Sequence, residues 1–140
     1  MSEEKAQQLL YQMQMLETYL ADLTQKESTL FNILREAASA IESIKTINEK
    51  PESETLIPMG MGTFMKAKIT NKDKVILNVG SGTAIEKDRD STINYIESRI
   101  KEMEVALKDN SAQKQQVVAR LEQGKQEMNR LMQPSPSQKQ

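Results

Sequence analysis

Three polar side chains stand where an apolar stripe calls for leucine or its like: Glu27, Asn110 and Lys114. A carboxylate, a carboxamide and an ammonium gathered in a poorly hydrated seam are the makings of a salt-bridged catalytic or ligand cluster, because burial and opposite charge both shift proton affinity. Gly80-Ser81-Gly82 is a second stretch with chemical potential, since glycine-rich backbone can cradle a phosphate. Neither reading carries far. The chain has no histidine and no cysteine, which removes the commonest general base and metal ligand, thiolate chemistry and disulfides. Paired carboxylates remain available for acid–base work, but the acids are scattered among lysines and glutamines, as on a solvated surface. No G-x-x-x-x-G-K-[ST] pattern occurs and Gly82 does not open directly into a helix, so the glycines read as a hairpin turn. The chain is expected to be no enzyme, with no catalytic residue, no metal ligand and no cofactor.

Composition points the same way. Of 140 residues only 37% are hydrophobic and 4% aromatic, thin material for a globular core. A net charge of −1 leaves no electrostatic footprint for nucleic acid or an anionic membrane, and residues 1–22 carry more acids than bases. No stretch nears the ~18 apolar residues that span a bilayer, and the polar N-terminus lacks the apolar run of a signal peptide. A soluble, cytoplasmic protein is expected, without nucleic-acid or membrane partners.

The elements that must position the polar trio are two long helices. Apolar residues alternate at spacings of three and four through Leu9, Met13, Leu16, Leu20, Leu23, Leu30, Leu34, Ala37, Ile41 and Ile44, with Glu27 the one polar interruption. Pro51 disfavours helical geometry at Lys50, so this helix should stop near Asn48. The pattern returns through Ile93, Ile96, Ile100, Met103, Leu107, Val117, Leu121, Met128 and Leu131, with Asn110, Lys114 and Gly124 at seam positions. A start between Asp88 and Ser91 is signalled by capping residues, and an end by the proline-bearing "QPSPSQKQ". Each helix of roughly 43 residues measures about 65 Å. Paired antiparallel in the register that sets Met13 against Gly124, the helices bring Glu27 opposite Asn110 and Lys114 opposite Leu23. A shift of one heptad buries the Glu27 carboxylate among apolar groups at a cost of several kcal/mol. The trio therefore reads as a register device, and Glu27→Leu is expected to raise stability by ~1 kcal/mol or more while loosening register.

Between the helices the periodicity changes to two. Met65, Ala67 and Ile69 alternate with lysines, and Val75, Leu77 and Val79 follow, with glycines at 60, 62, 80 and 82 marking two tight turns and "TNKDK" a third. Four strands are predicted, near 55–59, 63–70, 74–79 and 83–87. So small a sheet cannot offset the entropy of ordering about 35 residues, so sheets from several chains should combine into a shared hub. The residues expected to build it are Ile57, Met65, Ile69, Val75, Leu77 and Val79. The fold class is mainly α: a long antiparallel coiled-coil hairpin joined by a small β-region of two hairpins that assembles into an oligomeric β-barrel hub. The organisation is helix 1 over 1–49, β-region over 50–89, helix 2 over 90–133 and a disordered tail over 134–140.

A helical hairpin interrupted by "IPMGMGTFMKAKITNKDKVILNVGSGTAIEKD" resembles the α type of subunit in the archaeal prefoldin family, over nearly the whole chain. The resemblance rests on the glycine-punctuated strands, two hairpins marking the α type where the β type has one. It implies a chaperone working without ATP, in a hexamer of two α and four β prefoldin subunits. A β-barrel platform would carry six coiled coils whose far ends hold unfolded client polypeptides and pass them to a chaperonin.

One helix surface is too apolar for its seam. In "QQLLYQMQMLETYL" Leu9, Met13 and Leu16 serve the seam, yet Leu10, Tyr11, Met15 and Tyr19 fall outside it, as does Met132 across the pair. Each forfeits ~1.5 to 3 kcal/mol of burial that another apolar surface should supply. Methionine, flexible and polarisable, suits varied surfaces. The expected client-binding set at the tip is therefore Leu9, Leu10, Tyr11, Met13, Met15, Leu16, Met128, Leu131 and Met132, with ordinary seam packing the alternative for Met13 and Met128. Gly124 either makes room for Met13 or lets the last turns splay. The rival function is a coiled-coil scaffold or tethering subunit with specific partners.

Overall fold

The computed structural model describes residues 2–133. α1 spans Ser2–Asn48 and α2 spans Arg89–Met132, with β1 (Glu52–Gly60), β2 (Thr63–Thr70), β3 (Val75–Gly80) and β4 (Thr83–Lys87) between them. The tail expected over 134–140 lies outside the described residues. β1 begins earlier than its apolar alternation predicts, because backbone pairing with β2 continues past the last apolar residue, through Glu54↔Lys68 and Ser53↔Ile69 to Glu52↔Thr70. The strands form two separate antiparallel pairs, β1 with β2 and β3 with β4.

The two pairs are built alike. Gly60-Met61-Gly62-Thr63 and Gly80-Ser81-Gly82-Thr83 make the same turn, closed by Gly60↔Thr63 in one and Gly80↔Thr83 in the other, each with a bulge one residue before the first glycine. All three turn residues are left-handed in both: φ is +105°, +52° and +75° at residues 60–62, and +95°, +54° and +72° at residues 80–82. That conformation is free of strain only for glycine, which explains the two glycines flanking Met61 and Ser81.

The chain divides into two compact units, one drawing on the residues up to Phe31 and from Glu104 onward, the other on Asn32–Met103. In the first, the buried apolar centre is Leu23, Val117 and Leu121, with Met13, Leu16 and Leu20 packed against it. Every apolar residue the 3-then-4 spacing assigned to the seam here is buried or half-buried, and the intervening positions are mostly exposed. In the second unit Leu34, Ala37, Ile41 and Ile44 of α1, and Ile93, Ile96, Ile100 and Met103 of α2, are half-buried by the same rule. α2 opens with a side-chain cap: the Ser91 amide donates to Asp88 Oδ1 at 2.7 Å, and the buried Thr92 hydroxyl donates to the Asp88 carbonyl at 2.8 Å. The two Ser91 hydrogen bonds, backbone foremost, hold the Asp88 carboxyl below its usual pKa of 3.8.

Candidate functional site

In the first unit, the two helices match each other in shape and in polarity. Met13 lies across Gly124: a Cβ added to that glycine would stand 3.0 Å from Met13 Cγ and 3.1 Å from its Sδ. The absent side chain is thus the space the thioether fills, which gives Gly124 a packing role.

The polar trio gathers in one neighbourhood, but with partners crossed relative to the sequence expectation. Lys114 Nζ reaches Glu27 Oε1 at 3.2 Å, and Asn110 Nδ2 donates to the Leu23 carbonyl at 2.9 Å. The reason is direction. Cα–Cβ bonds lean toward the N-terminus of their own helix. In an antiparallel pair the two leans can converge, and Glu27 and Lys114 reach each other across the seam. Backbone carbonyls point the other way, so the Leu23 oxygen is aimed toward the level of Glu27, where Asn110 stands. The carbonyl acceptor fixes which end of the Asn110 amide carries hydrogen. Its Oδ1 finds no partner among the described residues, and the residue is only 2% exposed. Glu27 and Lys114 neutralise each other, and among the described residues no three Asp, Glu, His or Cys groups converge where a metal ion would be held. The polar groups thus meet one another or the main chain inside the seam, the arrangement a register device calls for.

Toward residues 3–20 and 118–132 the apolar surface outruns the seam. Leu9, Met13, Leu16, Met128 and Leu131 are half-buried between the helices. Leu10, Tyr11, Met15 and Met132 are exposed, Met15 at 58% and Met132 at 74%. The expected set thus falls into two layers, a sheltered row and a wet one. Tyr19 joins the wet row, its hydroxyl donating to Gln113 Oε1 at 3.0 Å while the ring stays exposed. Val118, also exposed, was missed by the sequence reading. Its signal is the doubled valine at 117 and 118, of which a seam can bury only one.

The second unit carries the other apolar surface. Ile57, Met65 and Val79 are exposed, whereas Ile69, Val75 and Leu77 are half-buried. Ile69 and Val75 line a cavity of about 150 Å³ with Ile44 and Ile47 of α1, so they pack toward their own chain. Leu56, Met59, Phe64, Ile76 and Ile85 add exposed side chains that alternation alone did not single out, and Met61 at its turn is fully exposed. With only two strands per sheet, each hairpin carries exposed apolar side chains beyond those that alternation singled out.

Comparison with known proteins gives one family. The model described as "Prefoldin subunit" matches residues 16–134. A prefoldin subunit alpha of Nitrosopumilus maritimus is 56% identical over 133 residues, covering 95% of this chain and 92% of that one. A prefoldin subunit alpha 1 of Thermococcus kodakarensis is 37% identical over 102 residues, covering 71% and 68%. Among solved structures, the crystal structure of a prefoldin beta subunit from a Thermococcus strain superposes with a TM-score of 0.67 at 17% identity, over 94% of this chain and 95% of that one. A filamentous prefoldin from Methanocaldococcus jannaschii gives 0.53 at 20% identity, over 86% and 95%. At those identities the structural likeness speaks for the fold. No helix among the described residues is long and apolar enough to cross a membrane.

Proposed function

The chain belongs to the prefoldin family of chaperones, and we propose that it is the α-type subunit of a cytoplasmic assembly that captures unfolded polypeptides without ATP and passes them to a chaperonin. In this reading the hairpin residues Ile57, Met65 and Val79 join neighbouring β-type subunits into a hub, two α with four β. The client is held by the helical pair, through Leu10, Tyr11, Met15 and Met132.

The observation that carries the proposal is the exposed row itself. These four side chains lie outside the two-helix seam, which cannot cover them, and half-buried Met13 and Met128 can repack around an incoming chain. One arm offers little area, so each contact is weak and useful affinity comes from several arms on one client. Weak contacts let go without fuel, and the transfer needs no nucleotide.

The test is an aggregation assay with the assembled complex and a chemically denatured protein, in the absence of nucleotide. Suppression of light scattering at stoichiometric amounts is expected. A complex lacking residues 1–16 and 122–140 of this subunit should assemble and protect less. Full protection by the truncated form would place the site elsewhere, and no protection by either form would favour a scaffold.

A further inference from the structure

Three separate stretches of backbone meet at one side chain in the second unit. The Arg89 guanidinium donates through Nη1 to Asn48 Oδ1 at 3.0 Å and to the Asn71 carbonyl, and through Nη2 to the Thr70 carbonyl at 2.6 Å. Asn48 is the last residue of α1, Arg89 the first of α2, and Thr70 the last of β2. The turn so gripped is braced from within. The Thr70 amide donates to Asp73 Oδ2 at 2.8 Å, the Asp73 amide to the Thr70 carbonyl at 3.2 Å, and the Asn71 amide to the Pro51 carbonyl at 3.0 Å, which ties in the lead to β1.

We infer that Arg89 is the positioning residue that fixes the angle at which the β1–β2 hairpin stands on the ends of the two helices. Among the described residues this hairpin shares no strand pairing with β3–β4. Its chain connections are short loops at residues 49–51 and 71–74, and loops of that kind permit rotation unless something pins them. A planar guanidinium supplies several donors in a fixed fork, so one residue restrains position and direction together. An ammonium at the end of a flexible stem supplies the charge without the direction. This inference extends the proposed function: a hairpin held at a preset angle offers Ile57 and Met65 to a neighbouring subunit already oriented, so less freedom is lost on assembly.

Because the chain has no cysteine of its own, two spin labels can be placed cleanly in the full-length chain, at Ser43→Cys on α1 and Lys66→Cys on β2. Both positions are exposed. The parent should give one narrow distance distribution. Arg89→Lys, and to a lesser degree Asn48→Ala, should broaden it, and amide exchange at Asn71 and Asp73 should quicken roughly tenfold. Helical circular dichroism serves as the folding control, and should Arg89→Lys lose it, Asn48→Ala alone decides. Loss of charge is not at issue in the lysine variant, so broadening there identifies the fork geometry as the cause. An unchanged width and unchanged exchange would overturn the inference. Because the measurement is made on this chain without partners, its outcome is independent of the chaperone assay.

Discussion

Lys114 and Glu27 stand on facing helices and meet across the seam, Nζ to Oε1, at 3.2 Å. Both side chains are about three-quarters sheltered, at 25% and 27% exposure. The pair explains how two charges are tolerated inside an apolar seam, and it changes what a substitution there should do.

Glu27→Leu by itself now leaves a sheltered ammonium without its partner. The sequence expectation of a gain is therefore replaced by a loss of about 1 to 2 kcal/mol, discounted for partial hydration. Glu27→Leu together with Lys114→Leu should recover that loss and add ~1 kcal/mol, because well-packed apolar residues commonly outperform such a pair. Urea denaturation of the two singles and the double gives the coupling directly. The double variant should also lose register. Disulfide trapping between Leu16→Cys and Leu121→Cys, which lie in one cluster, should be near complete in the parent and partial in the double. Complete trapping in both would deny the trio its register role.

Gly124→Ala sets two effects of similar size against each other. Alanine gains ~1 kcal/mol of helix propensity. Its methyl would stand 3.0 Å from Met13 Cγ, so the thioether must yield by a few tenths of an ångström. Near-neutral stability is expected for the single change. In a Met13→Ala background the crowding is gone, and Gly124→Ala should then stabilise by about 1 kcal/mol. If the glycine instead serves splaying of the tip, the single change should reduce client protection while slowing amide exchange there. Slower exchange with undiminished protection would remove that idea.

Replacing Leu10, Tyr11, Met15 and Met132 together by serine should leave the unfolding free energy within about 0.5 kcal/mol per site, since exposed positions contribute little to the fold. Protection against aggregation should fall sharply. A large drop in melting temperature would show that these side chains are packed in the working assembly, and would count against a client surface.

Acid should loosen the start of α2. The folded Asp88 carboxyl titrates below its ordinary 3.8 because the Ser91 amide and hydroxyl favour the charged form. Its contribution is therefore complete above the unfolded value and is lost as pH falls through the lower folded value. Amide exchange over Ser91–Ile93 should accelerate on descending below about pH 4. Asp88→Ala should show fast exchange there at neutral pH with no further step on acidification. An acid step retained in the alanine variant would assign it to another group.

How much of this was legible beforehand depends on whether a property repeats. The seam repeats every three and four residues from Leu9 to Ile44 and from Ile93 to Leu131, so both helices and their facing sides could be read from periodicity. The two glycine turns were legible because left-handed backbone leaves a residue-type signature. Arg89 was not: its acceptors are two backbone carbonyls and one amide oxygen on Asn48, Thr70 and Asn71, and carbonyls have no letter in the sequence. The half-burial of Ile69 and Val75 beside Ile44 and Ile47 was likewise hidden, since strand alternation says that two faces differ without saying what lies against either.

By itself the sequence determined the elements, the seam, the turns and the excess of apolar side chains near residues 7–20, because each of these is a local pattern governed by helical or strand period. Only the tertiary structure decided who meets whom. Glu27 takes Lys114 and not Asn110, and Asn110 takes a main-chain oxygen. Those choices follow from the direction in which side chains and carbonyls lean on opposed helices, and direction is a property of the paired fold that spacing along one chain does not contain.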